Sequence, residues 1–224
     1  MSSHDPNSWL DSHGEAFLRR IGVRPGQCVL DFGCRHGQYT LPAARVVGPH
    51  GCVYAVDKDA EALRTLRQKI RELKIANIYV SRVTQSPRLP VPPETADVAL
   101  VYDVLHGGYF PEAEQRARLL AQIHAALRPG GLLSCYLTHV RRYGLTFGQL
   151  QREIGSAGFC LEERARRKLV HDGKLVRGWV SRYRKTGTSG IVERRGLRAS
   201  KKRAGHAGRM CHRKESACRS SRQG

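Results

Sequence analysis

The sequence predicts an α/β fold built on a largely parallel sheet, and two neighbouring stretches carry that prediction. In the first, QCVLDFGCRHGQYT (27–40), an apolar strand runs into a glycine-containing loop and then into a helix that ends at Gly48. In the second, another apolar strand at 52–56 follows and ends on Asp57. A strand, a glycine loop and a helix N-terminus form half of a nucleotide-binding βαβ unit, and the second strand supplies the other half. An acidic residue at the end of the second strand can accept both hydroxyls of a ribose.

Amphipathic helices flank this unit. Residues 7–21 form the first, with Leu10, Phe17, Leu18 and Ile21 as its candidate apolar positions, and Pro25-Gly26 turns the chain into the strand. The second runs from its N-cap, Asp59, through residue 73. Its inner stripe is predicted to consist of Leu63, Leu66, Ile70 and Leu73. Its basic outer face favours a solvated surface over a nucleic-acid role.

The remaining elements alternate in the same way. Strands are predicted at 78–83, 98–102 and 132–137, and prolines in 87–93 indicate a surface loop. Pro111 is expected to begin a helix whose inward residues are Leu119, Leu120, Ile123 and Leu127. Thr146 is expected to cap a helix that ends at Ala157. The runs 161–170 and 174–184 flank Asp172-Gly173, which indicates a β-hairpin.

The net charge of +20 on 224 residues is unevenly distributed. Residues 185–224 hold twelve Lys and Arg against two acidic residues, and they show almost no apolar periodicity. Such a segment cannot bury enough surface to offset its ordering entropy, so it is predicted to be a disordered basic tail. It could serve as an arm that contacts nucleic acid weakly, or it could have no role. His206, Cys211, His212 and Cys218 are metal-ligand types whose spacing matches no zinc pattern, so no metal is predicted.

Cysteine usage and hydropathy suggest a reduced cytoplasmic protein. Cys28, Cys52, Cys135 and Cys160 fall in apolar strand-like runs, where cysteine behaves as a small buried hydrophobe. No run of eighteen apolar residues is present, so no membrane span is predicted. The polar start of the sequence is unlike a secretory signal.

The strand that enters the glycine loop ends at Asp31, and this separates the possible ligands. A carboxylate there would repel a pyrophosphate, but it suits a ligand with an ammonium or sulfonium group. The stretch resembles the D-x-G-x-G-x-G motif of class I S-adenosylmethionine-dependent methyltransferases. Further matches are VYAVDKDAEAL, ADVALVYDVLH, LRPGG and the closing hairpin, to about Arg184. The chain looks most like the small-molecule branch related to quinone-biosynthesis and arsenite methyltransferases.

The resemblance implies a Rossmann-like α/β fold with helices on both faces of a seven-stranded, mostly parallel sheet. The implied strand order is 3-2-1-4-5-7-6, with an antiparallel last strand. The domains would be a leading helix and lead-in (1–26), the methyltransferase domain (27–184) and the tail (185–224). In this family the leading helix covers the ligand pocket. Simple packing of that helix on the sheet is an equally open alternative.

The same resemblance implies the cofactor S-adenosyl-L-methionine, a small-molecule methyl acceptor and a set of site residues. Asp31, Gly33, Cys34 and Gly37 would line the methionine end, beside Arg35. Asp57 would bind the ribose, with Lys58 beside the adenine and with Thr84 and Gln85 near its exocyclic amine. Asp103, Val104 and Leu105 would form the floor of the reaction site. The candidate catalytic residues are His106, as a base that titrates near neutrality, and Asp103. Packing or helix capping is the alternative role of His106.

Two departures from the family pattern bear on activity. Arg35 stands where the family has its middle glycine, and its side chain and restricted φ replace free backbone approach to the ligand. Thr84 stands where the family has an acidic residue that meets the adenine amine, and a hydroxyl bonds it more weakly than a carboxylate. The alternatives to a small-molecule enzyme are therefore a catalytically impaired, methyltransferase-like binding protein and an RNA methyltransferase aided by the tail.

The end of the fourth strand reads YDVLH, which disfavours several acceptors. It lacks the Asp/Asn-Pro-Pro-Tyr run associated with methylation of adenine or glutamine amino groups. It also lacks a Pro-Cys pair suited to attack on cytosine carbon. No set of cysteines resembles the trio that arsenite enzymes use.

Overall fold

A seven-stranded mixed sheet organises the part of the chain that the computed structural model describes, residues 9–83 and 88–187. Its strands are β1 (Cys28–Phe32), β2 (Cys52–Asp57), β3 (Ile78–Arg82), β4 (Ala96–Tyr102), β5 (Leu127–Tyr136), β6 (Phe159–His171) and β7 (Lys174–Lys185). The helices are α1 (Gly14–Ile21), α2 (Thr40–Val47), α3 (Ala60–Glu72), α4 (Ala113–Ala126) and α5 (Phe147–Ser156). A π-helical turn, Trp9–His13, precedes α1, and a 3₁₀ turn, Arg141–Tyr143, precedes α5.

The strand order is β3-β2-β1-β4-β5-β7-β6, which confirms the predicted topology. Strands β1 to β5 pair in parallel, whereas β7 is antiparallel to both β5 and β6. Because β5 and β6 both oppose β7, they run in the same direction. The ends of β1, β2, β4, β5 and β6 therefore meet at one edge of the sheet, where ligands bind in open α/β folds.

Helices cover both faces of the sheet, as predicted. Successive strand residues point to opposite faces, so Val29 joins the core cluster that contains Trp9 and Phe17, and Leu30 joins the cluster formed with α4 and α5. Helix α3 packs through Leu63 and Leu66 against the start of α2 and against β2. The central strands β1, β2 and β4 are thus shielded from solvent on both sides, which explains their nearly continuous apolar sequences.

Three local predictions are confirmed. Asp59 caps α3, because its Oδ1 accepts hydrogen bonds from the backbone N–H groups of Glu61 (2.9 Å) and Ala62 (3.1 Å). Thr146 caps α5 by accepting from the N–H of Gln149 at 3.1 Å. Asp172 and Gly173 have φ values of 47° and 71° and form the tight turn between β6 and β7.

Several element boundaries differ from the predictions. Within the described residues the leading helix begins as the π-helical turn Trp9–His13 rather than as one regular helix, and positions 7 and 8 of the prediction lie outside the described residues. Pro111 does not begin α4: the helix starts at Ala113, and Glu112 is its N-cap. Leu127 begins β5 instead of ending the helix. Leu73 is 48% exposed and follows the last residue of α3 as its C-cap, so it does not belong to the inner stripe of the helix.

The expectation of a fully reduced chain is wrong for one pair of cysteines. Cys28 and Cys52 form a disulfide that joins the first residues of β1 and β2. The parallel register sets these residues opposite each other with their Cα atoms 4.6 Å apart, within the range that a disulfide spans. Among the described residues, Cys135 is free and buried as predicted, while Cys160 is exposed. The cytoplasmic location stays a prediction.

The predicted tail lies, from residue 188 onward, outside the described residues. The folded unit continues beyond Arg184, the predicted boundary, because β7 ends at Lys185 and Thr186 is still bonded to the domain. The N–H and Oγ1 of Thr186 both donate to the carbonyl of Gly158, each at 2.9 Å. Within the described ranges, no helix has the length and apolar character needed to cross a membrane.

Candidate active site

A cavity of about 480 Å³ opens at the edge of the sheet where β1, β2 and β4 end. Such a volume lies within the range of about 300–1,000 Å³ that small-molecule sites occupy. The cavity is lined by the residues that end or follow these strands, by the start of α2, by Tyr109 and Phe110, and by the turn of the β6–β7 hairpin. No residue between Trp9 and Ile21 lines it, so this part of the leading segment packs on the sheet instead.

The glycine loop after β1 is bonded firmly to β2. The N–H groups of Gly33 and Cys34 both donate to the carbonyl of Val56, at 2.8 and 3.1 Å. Gly33 has φ +86°, and a Cβ there would lie 2.3 Å from Cγ2 of Val104, so only glycine lets the two segments approach this closely. Burial and the nearby carboxylates raise the pKa of the Cys34 thiol well above its usual range, so that thiol stays protonated.

Arg35 and Gly37 differ in what they do within this loop. Arg35 lines the cavity with φ 44°, a left-handed conformation that is strained for a residue with a side chain. Gly37 does not line the cavity. A Cβ at Gly37 would lie 2.4 Å from Cδ1 of Leu66, so this glycine allows the loop to pack on α3. The need for glycine at position 37 is therefore explained by packing.

Asp31 places a buried carboxyl group at the cavity wall. It is 4% exposed, and its Oδ2 accepts a hydrogen bond of 2.6 Å from Oγ1 of Thr40, the first residue of α2. Burial raises the pKa of Asp31 to about 7; the Thr40 hydrogen bond opposes this rise, and the charge of Asp57 adds to it. A cationic ligand beside Asp31 would favour the ionised form.

Asp57 ends β2 with both carboxylate oxygens held by backbone N–H groups. Its Oδ2 accepts from Arg35 at 2.8 Å, and its Oδ1 accepts from Asp59 at 2.9 Å. Each oxygen keeps a second lone pair, so the fixed carboxylate can still accept hydroxyl hydrogens from a ligand in the cavity. Lys58 extends over the ring of Tyr109, with its Nζ 4.4 Å from the ring centre. Thr84 and Gln85, the residues expected near the adenine, lie outside the described residues.

The residues after β4 divide into two groups. Asp103 and Val104 line the cavity, whereas Leu105 is 1% exposed within the hydrophobic core. His106 does not line the cavity either. Its Nδ1 accepts from the N–H of Gly108 at 3.1 Å, and its ring stacks on Tyr143 at 4.8 Å. Burial lowers the pKa of His106 despite the opposing charge of Asp103, which keeps the imidazole neutral.

Sequence reasoning missed the far wall of the cavity, which three tyrosines and the hairpin turn supply: Tyr39, Tyr102, Tyr136, Val170, His171, Asp172 and Gly173. The hydroxyl of Tyr39 donates to the carbonyl of Val170 at 2.6 Å, and that of Tyr102 is hydrogen-bonded to Oγ of Ser134 at 2.8 Å. Burial raises the pKa of both phenols. The strand order was the available signal, because it places the end of β6 at the ligand edge.

Comparison with known proteins agrees with this geometry. Residues 29–131 match the model of a methyltransferase domain family. A S-adenosylmethionine-dependent methyltransferase from Aquifex aeolicus shares the fold, with a TM-score of 0.61 and 17% identity over 81% of this chain and 99% of that one. The family match spans just under half of the chain, and together with the motif and the fold it supports a class I S-adenosylmethionine-dependent methyltransferase domain, a class whose cofactor is S-adenosylmethionine.

Within that class, the chain is similar to enzymes of quinone biosynthesis. It is 27% identical over 124 residues to a demethylmenaquinone methyltransferase of a Geobacillus species, and the aligned region covers 55% of this chain and 50% of that protein. It is also 27% identical over 167 residues to a ubiquinone/menaquinone biosynthesis C-methyltransferase of a Marinomonas species, covering 75% and 60% of the two chains. The chain thus spans about half to three fifths of the length of these relatives.

Proposed function

We propose that this chain transfers a methyl group from S-adenosylmethionine to a small aromatic acceptor that carries ring hydroxyls, of the quinol class. The observation that carries the proposal is that one cavity is lined both by the carboxyl groups of Asp31 and Asp57 and by tyrosine rings. We assign the two carboxyl groups to a donor half and the rings of Tyr39 and Tyr102 to an acceptor half. The first suits a cationic nucleoside donor, and the second suits an aromatic acceptor.

In the donor half, Asp57 would accept the ribose hydroxyls and Asp31 would face the methionine end. We assign the backbone of Gly33, Cys34 and Arg35 to the floor beneath the donor. S-adenosylmethionine supplies a methyl group on a sulfonium, which is already an activated leaving group. The protein therefore has mainly to hold the two reactants in line, and the anchored Asp57 carboxylate and the bonded glycine loop suit that task.

In the acceptor half, Tyr39 and Tyr102 offer ring surface, since their hydroxyls are already hydrogen-bonded to the protein. Rings that are fixed in this way favour a flat apolar acceptor over a highly charged one. The similarity to the demethylmenaquinone methyltransferase supports the same class of acceptor. Asp103 stays in the proposal as the acidic group of this half, but His106 does not, because it faces Tyr143 instead of the cavity.

The test combines calorimetry with a labelled-methyl assay. The full chain should bind S-adenosylmethionine and S-adenosylhomocysteine. It should also transfer label to a demethylmenaquinone analogue with a short side chain, and not to total RNA. Label transferred only to RNA would establish the RNA methyltransferase alternative. Donor binding without transfer to any extracted small molecule or RNA would establish the impaired binding protein.

A further inference from the structure

Three side chains with metal-binding atoms converge at the acceptor side of the cavity. They are Asp103, which follows β4, His139, in the loop after β5, and His171, the last residue of β6. One ligand atom from each lies within 4.8 Å of the others. Asp103 and His171 line the cavity, and His139 stands behind them. We propose that these three residues form a binding site for a divalent transition-metal cation.

The separations between these three side chains approach those between ligands that share one ion. Bonds of about 2.0–2.2 Å to a cation place neighbouring ligand atoms roughly 3.0–3.5 Å apart. Nε2 of His139 lies 3.2 Å from Nε2 of His171, and Nδ1 of His171 lies 3.4 Å from Oδ2 of Asp103. Nε2 of His139 lies 3.8 Å from Oδ1 of Asp103. Because one imidazole gives only one ring nitrogen to an ion, the set with one atom from each residue is wider, within 4.8 Å, and side-chain movements would close it onto one ion.

The chemistry of the three groups selects the kind of cation. Two imidazoles and one carboxylate suit Zn²⁺, Fe²⁺, Co²⁺ or Mn²⁺, whereas Mg²⁺ and Ca²⁺ prefer sites made of oxygen atoms. The carboxyl group of Asp103 is also held in its orientation by a hydrogen bond, because the hydroxyl of Thr138 donates to its Oδ1. Such supporting hydrogen bonds are typical of metal-ligating carboxylates.

The backbone supports the same interpretation. Asp103 has φ 57° and His139 has φ 52°, so two of the three residues hold left-handed conformations that glycine adopts with less strain. A fold maintains such strain most often at functional sites. The two strained positions carry side chains that meet at one point, which fits a functional role for those side chains.

A cation at this point would leave coordination positions open towards the cavity, because two ligands line its wall and three ligands do not complete a coordination shell. An oxygen atom of the acceptor could occupy such a position and be oriented there. This role rests on the proposed function, whereas the metal site itself does not.

The site is tested by titrating the full chain with Co²⁺ and with Zn²⁺, followed by visible absorption and calorimetry. Substitution of a direct ligand should weaken binding by more than about 100-fold, since loss of a supporting partner alone costs about 10- to 100-fold. The variants are His139→Ala, His171→Ala and Asp103→Asn. His50→Ala, an exposed histidine elsewhere, is the matched control and should bind as the wild type does.

Metal held by His206, Cys211, His212 or Cys218 would persist in every variant, and Co²⁺ bound to thiolates has its own charge-transfer absorption. The proposal therefore requires that one equivalent disappears in the His139→Ala/His171→Ala double variant while circular dichroism and donor binding are retained. An unchanged stoichiometry and affinity in a folded double variant would overturn it and leave a hydrogen-bonded His–His–Asp chain. Donor binding, measured without metal, tests the proposed function separately.

Discussion

Replacing Asp57 by alanine is the sharpest test of the donor half. The substitution removes the carboxylate that would accept the ribose hydroxyls, and it leaves the N–H groups of Arg35 and Asp59 without their acceptor. Loss of hydrogen bonds to a buried polar partner costs about 1–3 kcal/mol, so donor affinity should fall about 5- to 150-fold. The melting temperature should also fall, because the two N–H groups anchor the glycine loop and the start of α3.

The assay is calorimetry with S-adenosylmethionine and S-adenosylhomocysteine, with thermal unfolding followed in parallel. Asp57→Asn keeps one acceptor oxygen and should lie between the wild type and Asp57→Ala. Glu114→Ala removes the same charge from an exposed position on α4 and should change neither quantity. Equal donor affinity in the wild type and in a folded Asp57→Ala variant would refute the assignment of the ribose to this residue.

Arg35→Gly separates the backbone of the loop from its side chain. The N–H that holds Asp57 remains, the left-handed φ of 44° becomes unstrained, and an exposed pair with Asp172 at 3.9 Å is lost. Exposed pairs contribute little, so donor affinity should be preserved or increased. Weaker binding in the same titration would show instead that the guanidinium group contacts the ligand.

Three further predictions concern the loop, the buried acid and the tail. Gly33→Ala should lower the free energy of unfolding by about 1–3 kcal/mol more than Gly26→Ala does. Both glycines have positive φ, but only a Cβ at position 33 would clash with Val104. Chemical unfolding of both variants measures the difference. The pKa of Asp31 is raised in the folded state, so the folded state holds this proton more tightly than the unfolded state does, and the free energy of unfolding should fall as pH rises from about 4 to about 7. Over the same range Asp31 becomes ionised, so affinity for the cationic donor should rise up to about pH 7. Asp31→Asn should abolish both trends, measured by unfolding and by calorimetry at a series of pH values. A chain ending at Thr188 should melt within a few degrees of the full chain and bind the donor equally, losing only salt-sensitive affinity for nucleic acid in filter binding.

The fold and the meeting of Asp31 and Asp57 at one cavity could be predicted because their signals are local in sequence. Asp57 ends one apolar strand and Asp31 lies one residue before the end of its neighbour, and parallel strands that pair directly bring their ends together. The exposure of Leu73 and the late start of α4 could not be predicted in this way. Both depend on which neighbouring element covers a residue, and helical periodicity does not contain that information. The Cys28–Cys52 disulfide needed the register between two strands, which composition alone does not fix.

The acceptor half could not be predicted residue by residue, because its members come from segments that are distant in sequence. His106 follows the fourth strand, which made it the candidate base, but its ring stacks on Tyr143 and does not line the cavity, although Val104 and Tyr109 on either side of it do. His171 and His139 looked like ordinary residues of a hairpin and a loop. They meet Asp103 because β6 runs parallel to β5, so that the end of β6 returns to the edge where β4 and β5 end. The strand order places the end of β6 at this edge, and His171 is the last residue of β6. These two facts together indicate His171 as a residue of the site.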